Sequence, residues 1–252
     1  MSLEFQNQIS IQPLDSEGGG GGGGTTPSVG VPREVTAQGV FQMPSTSITY
    51  SFPNGTTTIA PNSMSYAFYK CTGLTGIDFT GVTTISNDAL YQCCNGCTNI
   101  TSVSFPNVTT IGYLGCNNTF RGCTGITSVS FPELTTIDRR GLYYTFYSCT
   151  GITTATFPKL TSIPYEEVFD YTFGDNNNIT DIYFPALTTT SFGSYTNQFA
   201  NIINSTATTK FHFPSNLASV TFLYNSSTSS ATRADKFGSS VCSILFDLPA
   251  TT

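Results

Sequence analysis

Apolar residues recur along this chain with a regular period of about 26 residues, which lies in the range typical of repeat architectures. The clearest marker is a column of cysteines at Cys71, Cys97, Cys123 and Cys149. Each begins a similar phrase, for example Cys123-Thr-Gly-Ile126-Thr-Ser-Val129-Ser-Phe131. Val129 and Phe131 alternate with small polar residues, which is the pattern of a strand with one buried face. A proline follows the phenylalanine in most copies and predicts the end of the strand, where its missing N–H does least harm.

Each repeat contains two further inward-pointing positions. Isoleucines preceded by a Thr-Thr or Thr-Ser pair predict a second short β segment, at Ile59, Ile85, Ile111, Ile137 and Ile163. A third anchor stands three residues before each ladder cysteine, at Phe68, Cys94, Phe120 and Phe146, and we expect Phe173 and Phe199 to continue that column. One repeat cannot bury its own apolar side, so the repeats must stack.

The pattern weakens towards both ends and divides the chain into four segments. Ser45 stands one full period before Cys71, and Asn176 takes the cysteine position in a later copy. We predict a mainly β solenoid of six or seven coils with little helix. The predicted segments are an anchoring peptide at 1–17, a linker and N-terminal cap at 18–44, the solenoid at 45–220, and a C-terminal cap at 221–252.

Composition and charge narrow the possible partners. Charged residues are only 10% of the chain, and nine Lys and Arg residues are spread thinly at a net charge of −6. Such a chain has no basic stripe for a row of phosphates, so we expect no nucleic-acid binding. No apolar run reaches the roughly 18–20 residues of a membrane span, and the first 17 residues lack the pattern of an export signal.

The repeats resemble the BspA-like leucine-rich repeats. The residues that match most closely are Ala67-Phe68, Cys71-Thr-Gly-Leu74 and Val103-Ser-Phe105-Pro106-Asn-Val108-Thr-Thr-Ile111. The coils are about three residues longer than the usual unit of that family and carry Phe where Ile is common. The resemblance implies a leucine-rich-repeat solenoid and a binding role with no reaction or cofactor attached. Similar arrays occur in surface adhesins of bacteria and in bacteriophage proteins.

The N-terminal segment predicts an attachment function. Leu3, Phe5, Ile9 and Ile11 form a weakly alternating stretch, which is followed by an unbroken glycine run from Gly18 to Gly24. A glycine run is a flexible tether, and an extended peptide can add a strand to another protein. A disordered leader without function is the alternative.

Three functions are therefore compared. The first is a bacteriophage virion protein on the outer surface of the particle. It binds other virion proteins through residues 1–24 and a host surface glycan or protein through the repeats, and an oligomer would be typical of a fibre. The second is a bacterial cell-surface adhesin. The third, a remote alternative, is a carbohydrate-active enzyme.

Candidate chemistry is sparse. The ladder cysteines are expected to be inward-facing free thiols, although the group Cys93, Cys94, Cys97, Cys116 and Cys123 also allows a zinc site, or a disulfide among Cys93, Cys94 and Cys116. His212, the only histidine, should point away from Phe211 and Phe213, without a nucleophile motif. A carboxylate pair for glycoside cleavage could come from Glu166, Glu167 and Asp170. A solvated acidic patch is the simpler interpretation of these three residues.

Tyrosines provide the best binding candidates. They crowd the turns near the anchor column, at Tyr66, Tyr69, Tyr91, Tyr113, Tyr143, Tyr144 and Tyr147. Tyrosine offers a large contact area at low entropic cost and suits sugar or protein ligands. Packing of the same rings between coils is an equally good explanation.

Overall fold

The computed structural model describes residues 48–165, 167–188, 199, 201–203, 208–219 and 243–250. They form a parallel β-solenoid, so the predicted fold class is confirmed. Its strands are β1 (Ile48–Ser51), β2 (Thr58–Ile59), β3 (Leu74–Asp78), β4 (Thr84–Ile85), β5 (Ser102–Ser104), β6 (Thr110–Ile111), β7 (Ser128–Ser130), β8 (Thr136–Ile137), β9 (Thr154–Thr156), β10 (Asp181–Tyr183), β11 (Lys210–Pro214) and β12 (Ser243–Leu248). One 3-10 helix (Ser215–Ser219) is the only helix among the described residues.

One side of the solenoid, the long sheet, contains the strands that follow the ladder cysteines. Strands β1, β3 and β5 pair in that order, and β7, β9, β10, β11 and β12 continue the row. All pairings are parallel, with Ile77 opposite Val103 and Val129 opposite Ala155. The burial pattern of β5 and β7 is exposed, buried, exposed, as the alternation predicts. Every coil therefore contributes the same face to the core.

A second side contains the short strands β2, β4, β6 and β8. Their isoleucines are buried and pair in register, for example Ile85 with Ile111. Threonines in front of these strands reinforce the stacking, since the Thr109 hydroxyl donates to the Thr83 carbonyl oxygen at 3.2 Å. The Thr135 hydroxyl makes the equivalent bond to Thr109 at 3.3 Å. The repeated Thr-Thr pairs thus serve coil-to-coil hydrogen bonding.

The third side, the turn face, comprises residues 61–71, 87–97, 113–123, 139–149 and 167–176 and consists of consecutive tight turns. Along each turn, one backbone N–H donates to a carbonyl of its own coil and the next N–H donates to a carbonyl of the following coil. Ala67 N–H donates to Met64 at 3.1 Å, whereas Tyr66 N–H donates to Tyr91 at 2.9 Å. Every fourth residue is left-handed, with φ values of 58°, 57° and 57° at Asn62, Tyr66 and Lys70. This conformation costs energy for any residue other than glycine.

Stacked phenylalanine rings fill the core. Phe105 and Phe131 stack with centroids 4.3 Å apart, and Phe120, Phe146 and Phe173 form a second stack at 5.6 and 5.7 Å. The expectation that Phe199 continues this second stack is wrong, because Phe199 stacks on Phe169 at 5.8 Å. Phe173 N–H bonds to Ile202 O, which aligns Ile203 with Phe173. A longer coil at this point displaces Phe199 from the column.

Several predicted segments lie outside the described residues. They include the proposed anchor with Leu3, Phe5, Ile9 and Ile11, the Gly18–Gly24 tether, and Glu166. Within the segment predicted as a C-terminal cap, β12 is described, and it pairs in parallel with β11.

Candidate binding surface

The tyrosines singled out from the sequence all lie on the turn face, where all of them except Tyr113 form two clusters. Alignment of successive coils places Tyr66, Gln92, Asn118, Tyr144 and Tyr171 in one column. These five residues share the left-handed backbone conformation, with φ between 49° and 57°. Polar Gln92 and Asn118 therefore separate the tyrosines of the early coils from those of the later coils.

The first cluster contains Tyr66, Tyr69 and Tyr91. The Tyr66 ring meets the Tyr91 ring edge to face at 5.2 Å and the Tyr69 ring at 5.7 Å. Tyr66 and Tyr69 remain 44% and 38% exposed. The Lys70 ammonium lies 5.2 Å from the centre of the Tyr69 ring, and Gln92 Nε2 donates to the Tyr66 hydroxyl at 3.3 Å. This cluster offers aromatic surface to a ligand.

The second cluster contains Tyr143, Tyr144, Tyr147 and Tyr171, and it is packed more tightly. Tyr144 and Tyr171 stack at 4.6 Å, and the Arg121 guanidinium lies 5.6 and 4.8 Å from the Tyr144 and Tyr147 rings. Burial, together with the neighbouring phenols and Asp170, raises the pKa of Tyr144 to about 12. The Tyr144 ring thus packs between coils.

Rings pack between coils in both clusters, but only the first leaves two of its rings, Tyr66 and Tyr69, largely exposed to solvent. The sequence pattern had not singled out Tyr171, Arg121 or Lys70. Tyr171 was missed because it lies one position beyond the place that the constant period gives after Tyr144, in a coil with an insertion. Arg121 could be assigned only once the coils were stacked, since the rings beneath it, Tyr144 and Tyr147, belong to the next coil. Lys70 lies over the ring of its sequence neighbour Tyr69.

The ladder cysteines point inwards, as predicted, and have a structural role. The Cys97, Cys123 and Cys149 thiols donate to carbonyl oxygens of the preceding coil, at 2.9, 3.1 and 2.9 Å. Each of these oxygens already accepts a hydrogen bond from the backbone N–H of the residue three positions later. The thiol therefore donates to the second lone pair of the carbonyl oxygen. Asn176 makes the same bond to Phe146 O at 3.0 Å. The column therefore selects a small buried donor.

The possible zinc site of the sequence analysis shows no geometry that favours metal binding. That group comprises Cys93, Cys94, Cys97, Cys116 and Cys123. All seven cysteines in the described ranges are buried as free thiols, and Cys93 and Cys94 have sulfur atoms 3.7 Å apart. Burial raises the pKa of the Cys94, Cys116 and Cys123 thiols well above the ordinary value. Metal ligation requires the thiolate, which these environments disfavour. In the same ranges, no three side chains of suitable type are arranged to hold a metal ion.

His212 points away from Phe211 and Phe213, as predicted, and lies between two carboxylates. Its Nε2 is 2.8 Å from Asp181 Oδ1 on β10, and its Nδ1 is 2.8 Å from Asp247 Oδ2 on β12. The Tyr183 ring stacks on it at 4.3 Å. No sequence motif indicated this triplet, since the partners are 31 and 35 residues away. Both ring nitrogens are occupied, so neither can act as a base towards a nucleophile.

Glu167 and Asp170, the described members of the proposed carboxylate set, do not form a glycosidase pair in this geometry. Glu167 Oε2 accepts from Arg140 Nε at 2.9 Å and from Arg139 Nη2 at 3.2 Å. Burial raises the pKa of Asp170, whose carboxylate accepts from Asn201 at 3.1 Å. A glycosidase needs two carboxyl groups facing one open bond, whereas Glu167 is held by two arginines and Asp170 is buried.

Comparison with known families supports the repeat assignment. The model of the BspA type leucine rich repeat region matches residues 34–137 and 92–232, with six copies. No curated protein and no solved structure matches the chain. None of the helical residues that the structure describes forms a helix long and apolar enough to span a membrane.

Proposed function

The chain belongs to the BspA-type leucine-rich-repeat family, and we propose that it is a non-enzymatic binding protein whose turn face contacts the ligand. Such solenoids are typically not catalytic, and their repeats present an extended surface. The observation that carries the proposal is the first tyrosine cluster, where Tyr66 and Tyr69 expose large aromatic side chains next to Tyr91. Clustered, exposed tyrosine is characteristic of recognition surfaces.

The turn face is also rigid enough to serve as a preformed surface. Backbone N–H groups of the first cluster bond to the next coil, for example Tyr66 N–H to Tyr91 O at 2.9 Å and Lys70 N–H to Asn95 O at 2.8 Å. The rings themselves contact one another across coils. Little conformational entropy should therefore be lost when a ligand binds, which favours affinity.

A cell-binding experiment tests this role. Fluorescently labelled protein is incubated with a panel of intact bacteria, and attachment is measured by flow cytometry. We expect the double variant Tyr66→Ser, Tyr69→Ser to lose most of its attachment. The matched control is Tyr165→Ser, because Tyr165 is 42% exposed but lies outside both clusters. Equal attachment of both variants would show that the first cluster does not contact the ligand.

We further propose that the protein is carried on the outer surface of a bacteriophage particle. Support comes from the sequence: residues 1–17 are a short, weakly alternating peptide, and Gly18–Gly24 is a tether that lets the solenoid project. Under this proposal the first 24 residues bind other virion proteins, and the repeats bind the host surface. The alternative is a bacterial cell-surface adhesin, in which the same repeats bind a neighbouring cell or a host.

Deletion of residues 1–24 distinguishes these locations. In a phage that encodes the protein, particles are purified and probed for the full-length and the shortened chain. We expect the shortened chain to be missing from particles while its attachment to cells persists. Unchanged incorporation would refute the anchor, and location of the natural protein in the bacterial envelope would favour the adhesin.

A further inference from the structure

The edge of the turn face carries a feature that extends beyond the first tyrosine cluster and shares only Tyr69 with it. Three columns of surface residues run along the solenoid beside the ladder cysteines. Two of them come just before the cysteines in each coil, and the third comes just after. We call them the corner strip. They are Tyr69, Asn95, Arg121 and Tyr147; then Lys70, Gly96, Gly122 and Ser148; and, beyond the cysteines, the exposed Thr72, Thr98, Thr124 and Thr150.

The floor of the corner strip is bare backbone at Gly122, whereas at Gly96 an added Cβ would meet the Lys70 side chain at 3.1 Å. A Cβ added at Gly122 would meet only the Gly96 Cα atom, at 3.9 Å, so the space above it is open. The N–H groups of the floor are already used: Gly96 donates to Arg121 O at 2.7 Å and Gly122 to Tyr147 O at 2.8 Å. An added peptide strand therefore finds no free donors at these two glycines, which argues against β-augmentation at this edge.

Charge on the strip is distinctive. Other cations of the described ranges face carboxylates: Arg139 and Arg140 pair with Glu167, Lys159 pairs with Glu133, and Lys210 lies within Coulombic range of Asp181. Lys70 and Arg121 lie over tyrosine rings, as Arg140 also does over Tyr143, but Arg140 is paired with Glu167 in addition. In a chain of net charge −6, two cations held on aromatic rings thus lie on one strip.

We propose that the corner strip binds an acidic oligosaccharide that runs along the solenoid axis, with a carboxylated sugar alternating with a neutral one. This inference rests on the proposed binding function and names its ligand class. The coils that carry Lys70 and Arg121 are two apart, about 10 Å at the usual strand spacing. The strip can therefore present its two charges at an interval of about two sugar rings.

The chemistry of the strip fits that ligand. The Arg121 guanidinium is held over the Tyr147 ring, and its Nη1 donates to Asn118 Oδ1 at 3.3 Å. A stacked guanidinium keeps further in-plane donors for a carboxylate, which it can bind through two parallel bonds. Threonine hydroxyls on one side, and the Asn95 amide with the tyrosine hydroxyls on the other, can donate to and accept from sugar hydroxyls.

The proposal is tested by calorimetry with a hexasaccharide in which glucuronic acid alternates with N-acetylglucosamine. A neutral hexamer of N-acetylglucosamine is the comparison ligand. We expect the acidic probe to bind more tightly, with affinity that falls as salt rises. Arg121→Gln should weaken binding about tenfold or more, because it removes a charged hydrogen-bond partner. Lys159→Gln, with the same change of net charge, should bind like the wild type.

A second variant tests the floor independently. Gly122→Asn places a side chain on the strip at a residue whose φ is +73°, a conformation that asparagine tolerates. It should fold, as checked by its urea midpoint, and should bind the acidic probe at least about tenfold more weakly. Unchanged binding in both strip variants would overturn the proposal.

The outcome separates this inference from the proposed function. If the acidic probe does not bind while attachment to cells still depends on Tyr66 and Tyr69, the acidic ligand is wrong and the binding function stands. If neither the probe nor any cell is bound, both fail.

Discussion

Replacing Ser148 by glycine should stabilise the protein, although most glycine substitutions do the opposite. Ser148 has a left-handed backbone, with φ of 57°, at a position where the two preceding coils carry Gly96 and Gly122 with φ of 77° and 73°. A residue with a Cβ pays about 1–2 kcal/mol in this region. Glycine avoids that cost but loses about 0.5–1 kcal/mol to the entropy of the unfolded chain. The net expectation is a gain of about 0.5–1 kcal/mol.

Urea unfolding followed by circular dichroism measures the effect, and thermal unfolding should show a rise of about 2–4 °C per kcal/mol for a chain of this size. Ser102→Gly is the matched control, because Ser102 is exposed on β5 and has no left-handed conformation. It should lose about 0.5–1 kcal/mol. Gly122→Ser should also destabilise. If both serine-to-glycine variants lost stability equally, the left-handed conformation at residue 148 would be refuted.

Three further predictions test the core, the thiols and the C-terminal strands. Phe131→Ala should cost about 3–5 kcal/mol in the free energy of unfolding, since its buried ring stacks on both neighbouring coils; a loss below about 1 kcal/mol in urea unfolding would contradict this packing. In a Cys242→Ser background, a thiol reagent at pH 8 should modify Cys149 and the other described cysteines only on unfolding, because burial raises the pKa of Cys149 to about 12; rapid reaction of the native protein would show that these thiols are accessible. Burial opposes ionisation of Asp181, but hydrogen bonds from Thr180 and His212 outweigh it and lower its pKa. The stability it adds is therefore present above its unfolded pKa of about 3.9 and is lost as pH falls through the folded value. Urea midpoints of wild type and Asp181→Asn should differ at pH 7 and approach each other as the pH falls below about 3.9, and a constant difference would exclude this linkage.

The repeat made the fold predictable, because a constant period determines which side chains must coincide when coils stack. Buried Val129 occupies the strand that alternation predicted, and buried Ile111 occupies the strand predicted from its recurrence after a Thr-Thr pair. Phe199 was placed in the wrong column for the same reason: a constant period was assumed where the coil is longer. The inward position of the ladder cysteines also followed from their spacing, but the carbonyl oxygens that they contact are 29 residues earlier and could not be identified before the coils were stacked.

The sequence by itself determined the period, the inward columns and the concentration of tyrosines near the anchors. Only the tertiary structure decided what those tyrosines do. It exposes Tyr66 and Tyr69 but stacks Tyr144 against Tyr171, and it brings Asp181 and Asp247 to the two sides of His212. Burial follows a local periodicity that is written in the chain, whereas contacts between outward-facing side chains depend on the offset and backbone handedness of neighbouring coils. An inserted residue or a left-handed turn changes those contacts without changing the apolar pattern.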